Sequence, residues 1–291
     1  MKTIKAETLF EVNNTLGEGP LWHPAEGVLY WVDIEEGDLY RSNRAMTNVT
    51  KTHFDTTLGA FCFIKTGGFI LATGDGFFVW DGKEVVPSLL WNPLPDRTEV
   101  RLNDGKVDPA GRFWAGSMDI QLLEGELYRL DPDGSQQTML HHIGISNGLG
   151  WSPDRKSMYY TDSYQGTIFA FDFDVETGSI QNQQPFVQLP HNNRDVVPDG
   201  LCVDAEGCLW SAQWNGWQVV RYDPQGKPIL TVKVPAQRIT SCCFGGDAMD
   251  QLFITSARTG LTDADMAKQP RAGSVFIVQT ETTGQETNFF G

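Results

Sequence analysis

The sequence predicts an all-β chain that folds as a six-bladed β-propeller. A unit of two short apolar strands around a polar turn recurs six times, and its spacing matches the length of a four-stranded blade. No long apolar stripe with a helical period of 3.6 residues is visible. We interpret residues 1–291 as one domain, because all-β domains often exceed the average domain size.

The repeated units share their composition and their punctuation. They begin at Gly27, Gly67, Gly111, Arg155, Gly207 and Asp250, at intervals of 40, 44, 44, 52 and 43 residues. Each is rich in aromatic and β-branched residues in near-alternation, and turn formers such as DPDG at 131–134 separate them. In a propeller the sheets pack face to face, so we expect the Trp and Phe side chains to lie between blades.

The opening stretch IKAETLFEV precedes the first unit. We expect it to supply the outer strand of the sixth blade and so to close the ring. Without that strand, the circular array would leave an unpaired sheet edge exposed.

Composition and charge limit the possible partners. The chain has 40% hydrophobic residues and a formal net charge of −15, with the acidic residues spread along its length. Such a field repels nucleic acid and anionic lipid and attracts cations. We therefore expect a globular protein, monomeric or weakly homo-oligomeric, that binds neither nucleic acid nor a membrane.

The cysteines and the N-terminal stretch indicate the cellular compartment in which we expect the protein to be found. Five cysteines form no CxxC pair, and an odd number in a chain of 291 residues does not suggest a disulfide framework. The stretch MKTIKAETLFEV lacks the apolar core of a signal peptide, and no run of about 18 apolar residues occurs. These features predict a cytoplasmic protein.

Polar residues recur at one position of the repeat, shortly before the first strand of each unit. An acidic or amide residue followed by glycine occurs as Glu18-Gly19, Asp104-Gly105, Asn147-Gly148 and Asp199-Gly200, whereas the comparable positions of the second and sixth units fall near Cys62 and Cys242. Such pairs are also ordinary turn formers. Their repetition in phase, however, predicts that they meet at the axis, where the innermost strands line the channel.

An axial cluster of Glu18, Asn147 and Asp199 would present only oxygen atoms. Such donors suit Ca²⁺, Mg²⁺ or Mn²⁺ directly, and Fe²⁺ or Zn²⁺ remain possible. Without a cation, the two carboxylates would repel each other in a poorly solvated channel and raise the pKa of one of them. The sequence therefore predicts one divalent metal cation at the axis.

Two other catalytic motifs are less well supported. GISNG at 144–148 matches G-x-S-x-G, which would make Ser146 a nucleophile if a helix followed. The next residues, LGWSPDRKSMYY, instead predict a turn and a strand. The five histidines show no HExxH spacing.

Several long motifs resemble the SMP-30/gluconolactonase/luciferin-regenerating enzyme family over nearly the whole chain. They are LGEGPLWHPAEGVLYWVDI, RLNDGKVDPAGRFWAGSMD, ISNGLGWSPDRKSMYYTDS, PDGLCVDAEGCLWSAQWNG and TSCCFGG. The resemblance implies a six-bladed propeller with one divalent metal held by Glu18, Asn147 and Asp199. It also implies that Arg101 and Asn103 contact the hydroxyl groups of the substrate.

One segment departs from the family pattern. Regucalcin-like members carry a substrate-contacting glutamate just beyond a GTM-type segment, whereas here GSMD is followed by Ile120 and Gln121. The nearest acids are Asp119 and Glu124. We expect Gln121 to belong to this altered part of the pocket and to change the choice among lactones.

Together these features lead to the hypothesis of a metal-dependent hydrolase that opens a small-molecule sugar lactone to the aldonic acid. Asp199 is the candidate general base, because it could reach the attacking water. Two alternatives remain open. One is a non-enzymatic Ca²⁺-binding regulatory protein, and the other is a metal-dependent hydrolase of a different ester or a phosphotriester.

Overall fold

The structure is a computed structural model that describes residues 1–83, 86–95, 97, 99–190 and 196–291. Its strands form six sheets, five of four strands and one of five. Within each sheet the first four strands pair in an antiparallel meander. The predicted six-bladed β-propeller is confirmed.

The strands are grouped by their place in the blades, counted outward from the axis. The inner strands are β3 (Gly17–His23), β7 (Leu58–Phe63), β11 (Arg101–Val107), β15 (Ser146–Trp151), β19 (Val197–Val203) and β23 (Ile239–Gly245). The second strands are β4 (Val28–Asp33), β8 (Phe69–Thr73), β12 (Phe113–Met118), β16 (Ser157–Asp162), β20 (Leu209–Trp214) and β24 (Gln251–Ser256). The third strands are β5 (Asp38–Ser42), β9 (Gly76–Trp80), β13 (Gly125–Leu130), β17 (Thr167–Phe173), β21 (Gln218–Tyr222) and β25 (Val275–Gln279). The outer strands are β6 (Val49–His53), β10 (Ser88–Trp91), β14 (Gln136–Ile143), β18 (Ile180–Gln188), β22 (Pro228–Lys233) and β2 (Glu7–Phe10).

The N-terminus closes the ring as the sequence predicts. Strand β2 pairs antiparallel with β25 and forms the outer strand of the sixth blade. A strand that was not predicted, β1 (Lys2–Lys5), adds a fifth strand to the preceding blade by pairing parallel with β22. The first ten residues therefore join two neighbouring blades.

Large aromatic residues fill the space between blades. Trp31, Trp114 and Trp210 lie on second strands and are almost completely buried. Each indole N–H has a partner: Asn14 Oδ1 at 3.0 Å, Asp108 Oδ2 at 2.9 Å and Asp204 Oδ2 at 2.9 Å, respectively. Truncating a buried aromatic residue of this kind to alanine costs about 3–5 kcal/mol. The prediction that these rings serve packing is confirmed for them.

The C-terminal segment, residues 283–291, lies across one end of the axial channel. It donates hydrogen bonds to carbonyl groups at the ends of five inner strands, namely those of Trp22, Phe63, Val107, Trp151 and Val203. Against the sixth inner strand it packs Gly284 so closely that an added Cβ would lie 2.1 Å from Phe244 Cβ. The segment therefore contacts all six blades.

Helix is confined to one insertion in the sixth blade among the described residues. Helix α1 (Asp263–Lys268) lies between β24 and β25, and Thr262 and Asp265 form its capping box. This helix was not predicted. No helix in the described part of the chain is long and apolar enough to cross a membrane.

Candidate functional site

A β-bulge in every inner strand directs side chains toward the axis. The register with the second strand shifts in each of the six pairs, and in five of them two residues of the inner strand oppose one residue of its neighbour. The shift in β7 leaves only Gly59 unpaired. A bulge bends the strand and re-aims its side chains, so these six positions converge at one end of the channel.

The pairing of the inner strands with the second strands shows that the four predicted polar residues are not all at equivalent positions. Asn147 and Asp199 are the first bulged residues of their strands, and the equivalent residue of β11 is Asn103 rather than Asp104. Glu18 still pairs with Val32, immediately before the bulge of β3. The remaining bulged positions, which the sequence placed near Cys62 and Cys242, begin at Gly59 and Thr240. The acidic and amide side chains at these positions therefore come from four of the six blades.

Three carboxylates lie together at the axis: Glu18, Asp104 and Asp199. They are only 3%, 8% and 5% exposed. Burial, followed by the negative charges of Asp104 and Asp199, raises the pKa of Glu18 well above its usual range. Burial and the charge of Asp104 do the same to the pKa of Asp199, while burial raises the pKa of Asp104 to about 7. The cluster thus favours bound protons or a cation.

A hydrogen-bond chain orients the amide of Asn147. Its Nδ2 donates to Ser163 Oγ at 2.8 Å, and Ser163 Oγ donates to the carbonyl of Pro198 at 2.6 Å. Asn147 Oδ1 accepts a long bond of 3.3 Å from Asn103 Nδ2, which also donates to the carbonyl of Ser146 at 2.6 Å. This arrangement leaves the amide oxygen of Asn147 as the atom available to a ligand.

Arg101 lies partly buried beside the carboxylates. Its Nη1 donates to Asn103 Oδ1 at 2.5 Å and to the carbonyl of Leu102 at 3.2 Å. Burial lowers the pKa of the guanidinium, while the charge of Glu18 opposes this effect. Its Nη2 also lies 3.8 Å from Met118 Sδ. The side chain therefore brings a positive charge to the acidic cluster.

A cavity of about 300 Å³ opens onto two of these carboxylates, Glu18 and Asp199. It is lined by five of the six residues predicted for the site: Glu18, Arg101, Asn103, Asn147 and Asp199. The sixth, Gln121, is exposed in the loop between β12 and β13 and is absent from the cavity wall. A cavity of this size suits a small molecule.

The loop that carries Gln121 is organised by Asp119. This carboxylate accepts hydrogen bonds from the backbone N–H groups of Gln121, Leu122 and Glu124, and it pairs with Arg97 at 2.5 Å. Asp119 therefore turns into its own loop rather than into the cavity. The substrate-binding role of Gln121 stays a prediction.

The donor set fits a hard divalent cation. Glu18, Asn147 and Asp199 offer only oxygen atoms, which such cations prefer. In the described ranges, no three His, Cys, Asp or Glu side chains are arranged to hold a metal, so a cation here would need the amide oxygen of Asn147. The close carboxylates supply the reason for a fit, since a cation would relieve their repulsion.

Some residues of the site escaped the sequence analysis. Asp104 was recognised in phase but was not assigned a role, although it lies in the carboxylate cluster. Ser163 follows a second strand and carries no motif that would mark it as a partner of Asn147. Ser146 is fully buried and starts a strand that is followed by another strand, so it does not form a nucleophile elbow.

Three of the cysteines, Cys62, Cys202 and Cys243, line a cavity that includes none of the three carboxylates. All five are free, and Cys242 Sγ lies 3.7 Å from Cys202 Sγ across neighbouring inner strands. Burial raises the pKa of the Cys62 thiol to about 12 and that of Cys243 well above its usual range. Thiols with such pKa values are poor nucleophiles at neutral pH.

Sequence comparisons connect this geometry with known proteins. A family model described as the SMP-30/Gluconolactonase/LRE-like region matches residues 16–258. Regucalcin of Danio rerio is 39% identical over 285 residues, which cover 96% of this chain and 95% of the relative. Human regucalcin is 37% identical over 286 residues with the same coverage.

Solved structures share the whole architecture. A protein from Agrobacterium tumefaciens, described as a calcium-binding protein, regucalcin, matches with a TM-score of 0.95 and 28% identity over 100% of this chain and 99% of that one. A luciferin-regenerating enzyme matches with a TM-score of 0.87 and 31% identity over 98% of each chain. These similarities include the inner strands that line the axial cavity.

Proposed function

Because the chain belongs to the SMP-30/gluconolactonase/LRE-like family, we propose that it hydrolyses sugar lactones to aldonic acids in the axial cavity. The cofactor of this proposal is one divalent cation bound by Glu18, Asn147 and Asp199. The observation that carries it is the common cavity: Arg101 and Asn103, which can orient substrate hydroxyls, line the same space as the three oxygen ligands.

A divalent cation held by Glu18, Asn147 and Asp199 would supply Lewis acidity, which would polarise an ester carbonyl and stabilise the negative charge that develops on its oxygen. The protein residues contribute binding and proton transfer. Asp199 accepts a proton from the attacking water as the water oxygen bonds to the carbonyl carbon. The bond between that carbon and the ring oxygen then breaks, and Asp199 returns the proton to the ring oxygen, which becomes the new hydroxyl group. Arg101 and Asn103 hold the hydroxyls so that the ester faces Asp199, which reduces the entropic part of the barrier.

Ser163 and the bulges supply rigidity. The hydroxyl of Ser163 fixes the amide of Asn147 and reaches Pro198, the residue before Asp199. Bonds of this kind hold ligand side chains in place before a ligand arrives. Two of the three proposed ligands therefore share one positioning residue.

A calcium-binding role without catalysis is the second candidate. It is favoured by the description of the Agrobacterium tumefaciens relative as a calcium-binding protein. A pure binding site, however, has no need for Arg101 and Asn103 beside the carboxylates. Hydrolysis of another ester or a phosphotriester would use the same groups and differs only in substrate.

The test is a panel of metal-defined protein against glucono-, xylono-, arabino- and galactonolactone, followed by proton release. We expect cation-dependent turnover of at least one lactone, and loss of both metal binding and turnover in Asp199→Ala. Elemental analysis supplies the second readout. Stoichiometric metal in Asp199→Ala would refute the ligand assignment, and metal binding without turnover of any lactone would favour the calcium-binding role.

A further inference from the structure

A fourth ionisable side chain of the cavity, Glu35, has no role in the proposed function. It lies in the turn between β4 and β5 and lines the cavity together with Thr259 from the sixth blade. Thr259 Oγ1 donates a hydrogen bond of 2.8 Å to Glu35 Oε1. Glu35 is exposed at the mouth, whereas Glu18 and Asp199 are buried.

The turn that carries Glu35 is firmly held. Asp33, at the end of β4, accepts hydrogen bonds from the backbone N–H groups of Thr15 at 2.7 Å and Leu16 at 2.9 Å. The carbonyl of Thr15 in turn accepts a bond of 2.8 Å from the backbone N–H of Thr259. At the other end of the turn, Gly37 has φ +65°, and an added Cβ would lie 2.3 Å from the carbonyl oxygen of Thr56. Both partners of the Glu35–Thr259 bond therefore sit on fixed backbone.

One carboxylate oxygen of Glu35 remains available. Within the described residues, Glu35 Oε2 has no hydrogen-bond partner, and the charge of Glu35 acts on Arg101. The cavity wall also includes the apolar residues Leu16, Ile34 and Trp214. A molecule in the cavity would therefore meet donors at Arg101, an apolar wall, and one free charged acceptor at Glu35.

We propose that Glu35 is a specificity-determining residue that accepts a hydrogen bond from a substrate hydroxyl at the mouth of the cavity. This inference rests on the proposed lactone hydrolysis. It narrows the substrate class to lactones whose ring carries hydroxyl groups in addition to the ester. Glu35 supplies a carboxylate acceptor to a pocket in which Gln121 provides none. It acts by binding a hydroxyl and takes no part in proton transfer to the ester.

The chain provides a matched control at the next position. Glu36 lies in the same turn, is also exposed, and also accepts a threonine hydrogen bond, from Thr15 Oγ1 at 2.9 Å. It does not line the cavity. Glu35→Ala and Glu36→Ala therefore remove the same charge from the same turn, and only one of them removes the proposed contact.

The kinetic experiment compares D-glucono-δ-lactone with δ-valerolactone, which has the same ring without hydroxyls, at saturating metal. We expect Glu35→Ala to lower kcat/KM for gluconolactone about tenfold, the low end for a hydrogen bond to a charged group, mainly through KM. The value for δ-valerolactone should change less than about twofold, because no hydroxyl contact is lost. Glu36→Ala should leave both values unchanged, and Glu35→Gln, which keeps an acceptor oxygen, should be intermediate.

A binding measurement separates this inference from the proposed function. Titration with D-glucose, which has the hydroxyls but no ester, should show affinity about tenfold weaker for Glu35→Ala than for wild type or Glu36→Ala. This comparison holds even if wild type hydrolyses no lactone, a result that would refute only the proposed function. Equal glucose affinity in all three proteins, or an equal loss for both lactones in Glu35→Ala, would overturn the role of Glu35.

Discussion

The buried carboxylate of Asp104 gives the metal-free protein a stability that falls as pH rises. Its pKa is raised from the ordinary 3.8 to about 7 by burial. At about 1.36 kcal/mol per pKa unit, this difference corresponds to roughly 4 kcal/mol between the two protonation states. The unfolded chain releases the proton at lower pH than the folded one, so stability is highest below the unfolded pKa. It is lost as pH rises through about 7.

The perturbation that isolates this effect is Asp104→Asn in chelator-treated protein. We expect wild type to lose roughly 2–3 kcal/mol of its free energy of unfolding between pH 5 and pH 8 through Asp104, since the rest of the roughly 4 kcal/mol is lost below pH 5. The free energy of unfolding of the variant should fall less over this pH range, and the difference from wild type should be at least that large. Removing Asp104 also removes the negative charge that raises the pKa of Glu18 and of Asp199. The assay is urea unfolding at both pH values.

Asp133→Asn is the control, since it removes one negative charge from an exposed turn. It should reproduce the pH dependence of wild type. Equal losses in wild type and Asp104→Asn would refute the reasoning that burial of this carboxylate sets the slope. A saturating divalent cation should restore wild-type stability at pH 8, because a ligand that binds only the folded state stabilises it.

Three further predictions concern the site, and a fourth concerns the cysteines. Ser163→Ala should weaken metal affinity by about 10- to 100-fold, as expected for loss of a group that positions a ligand; an unchanged dissociation constant by calorimetry would show that Asn147 is held otherwise. Arg101→Ala should raise KM and lower kcat/KM for every lactone, and activity equal to wild type would remove its substrate role. Gln121→Glu should change the kcat/KM ratio of pentono- to hexonolactones, and a constant ratio would place this residue outside the pocket. Mild oxidation should leave activity intact, whereas a thiol-reversible loss absent in Cys243→Ser would contradict a structural role for that cysteine.

The repeat pattern predicted the fold because every blade packs its sheet against two neighbouring blades and therefore needs the same pattern of apolar residues. Second strands such as those in GVLYWVDI and GCLWSAQW bury side chains on both faces, so the apolar signal recurs six times. The pairing of β2 with the sixth blade followed from the need to cover an edge. Strand β1 and helix α1 were missed because each occurs once and has no counterpart in the repeat.

The repeat predicted only part of the site, and the family resemblance added Arg101 and Asn103, which also line the cavity. Asn147 and Asp199 occupy equivalent bulges, so their phase indicated that they converge. The sequence did not predict the one-residue bulge of β7 or that Asn103, rather than Asp104, is the first bulged residue of β11. The pattern of apolar pairs does not depend on how many residues a bulge contains. Glu35 and Ser163 reach the cavity through contacts between blades, which depend on tertiary neighbours rather than on phase.

The pairing of β2 with β25 also determines when the ring of blades can close during synthesis. Glu7 pairs with Ile277, so about 270 further residues must be synthesised before β2 meets β25. At roughly 5–20 residues per second, this wait is on the order of tens of seconds. During that time its backbone could pair with another nascent chain, and the exposed charges of Lys2, Lys5, Glu7 and Glu11 oppose such pairing. We therefore expect these charges to matter more for yield during synthesis than for the stability of the completed ring.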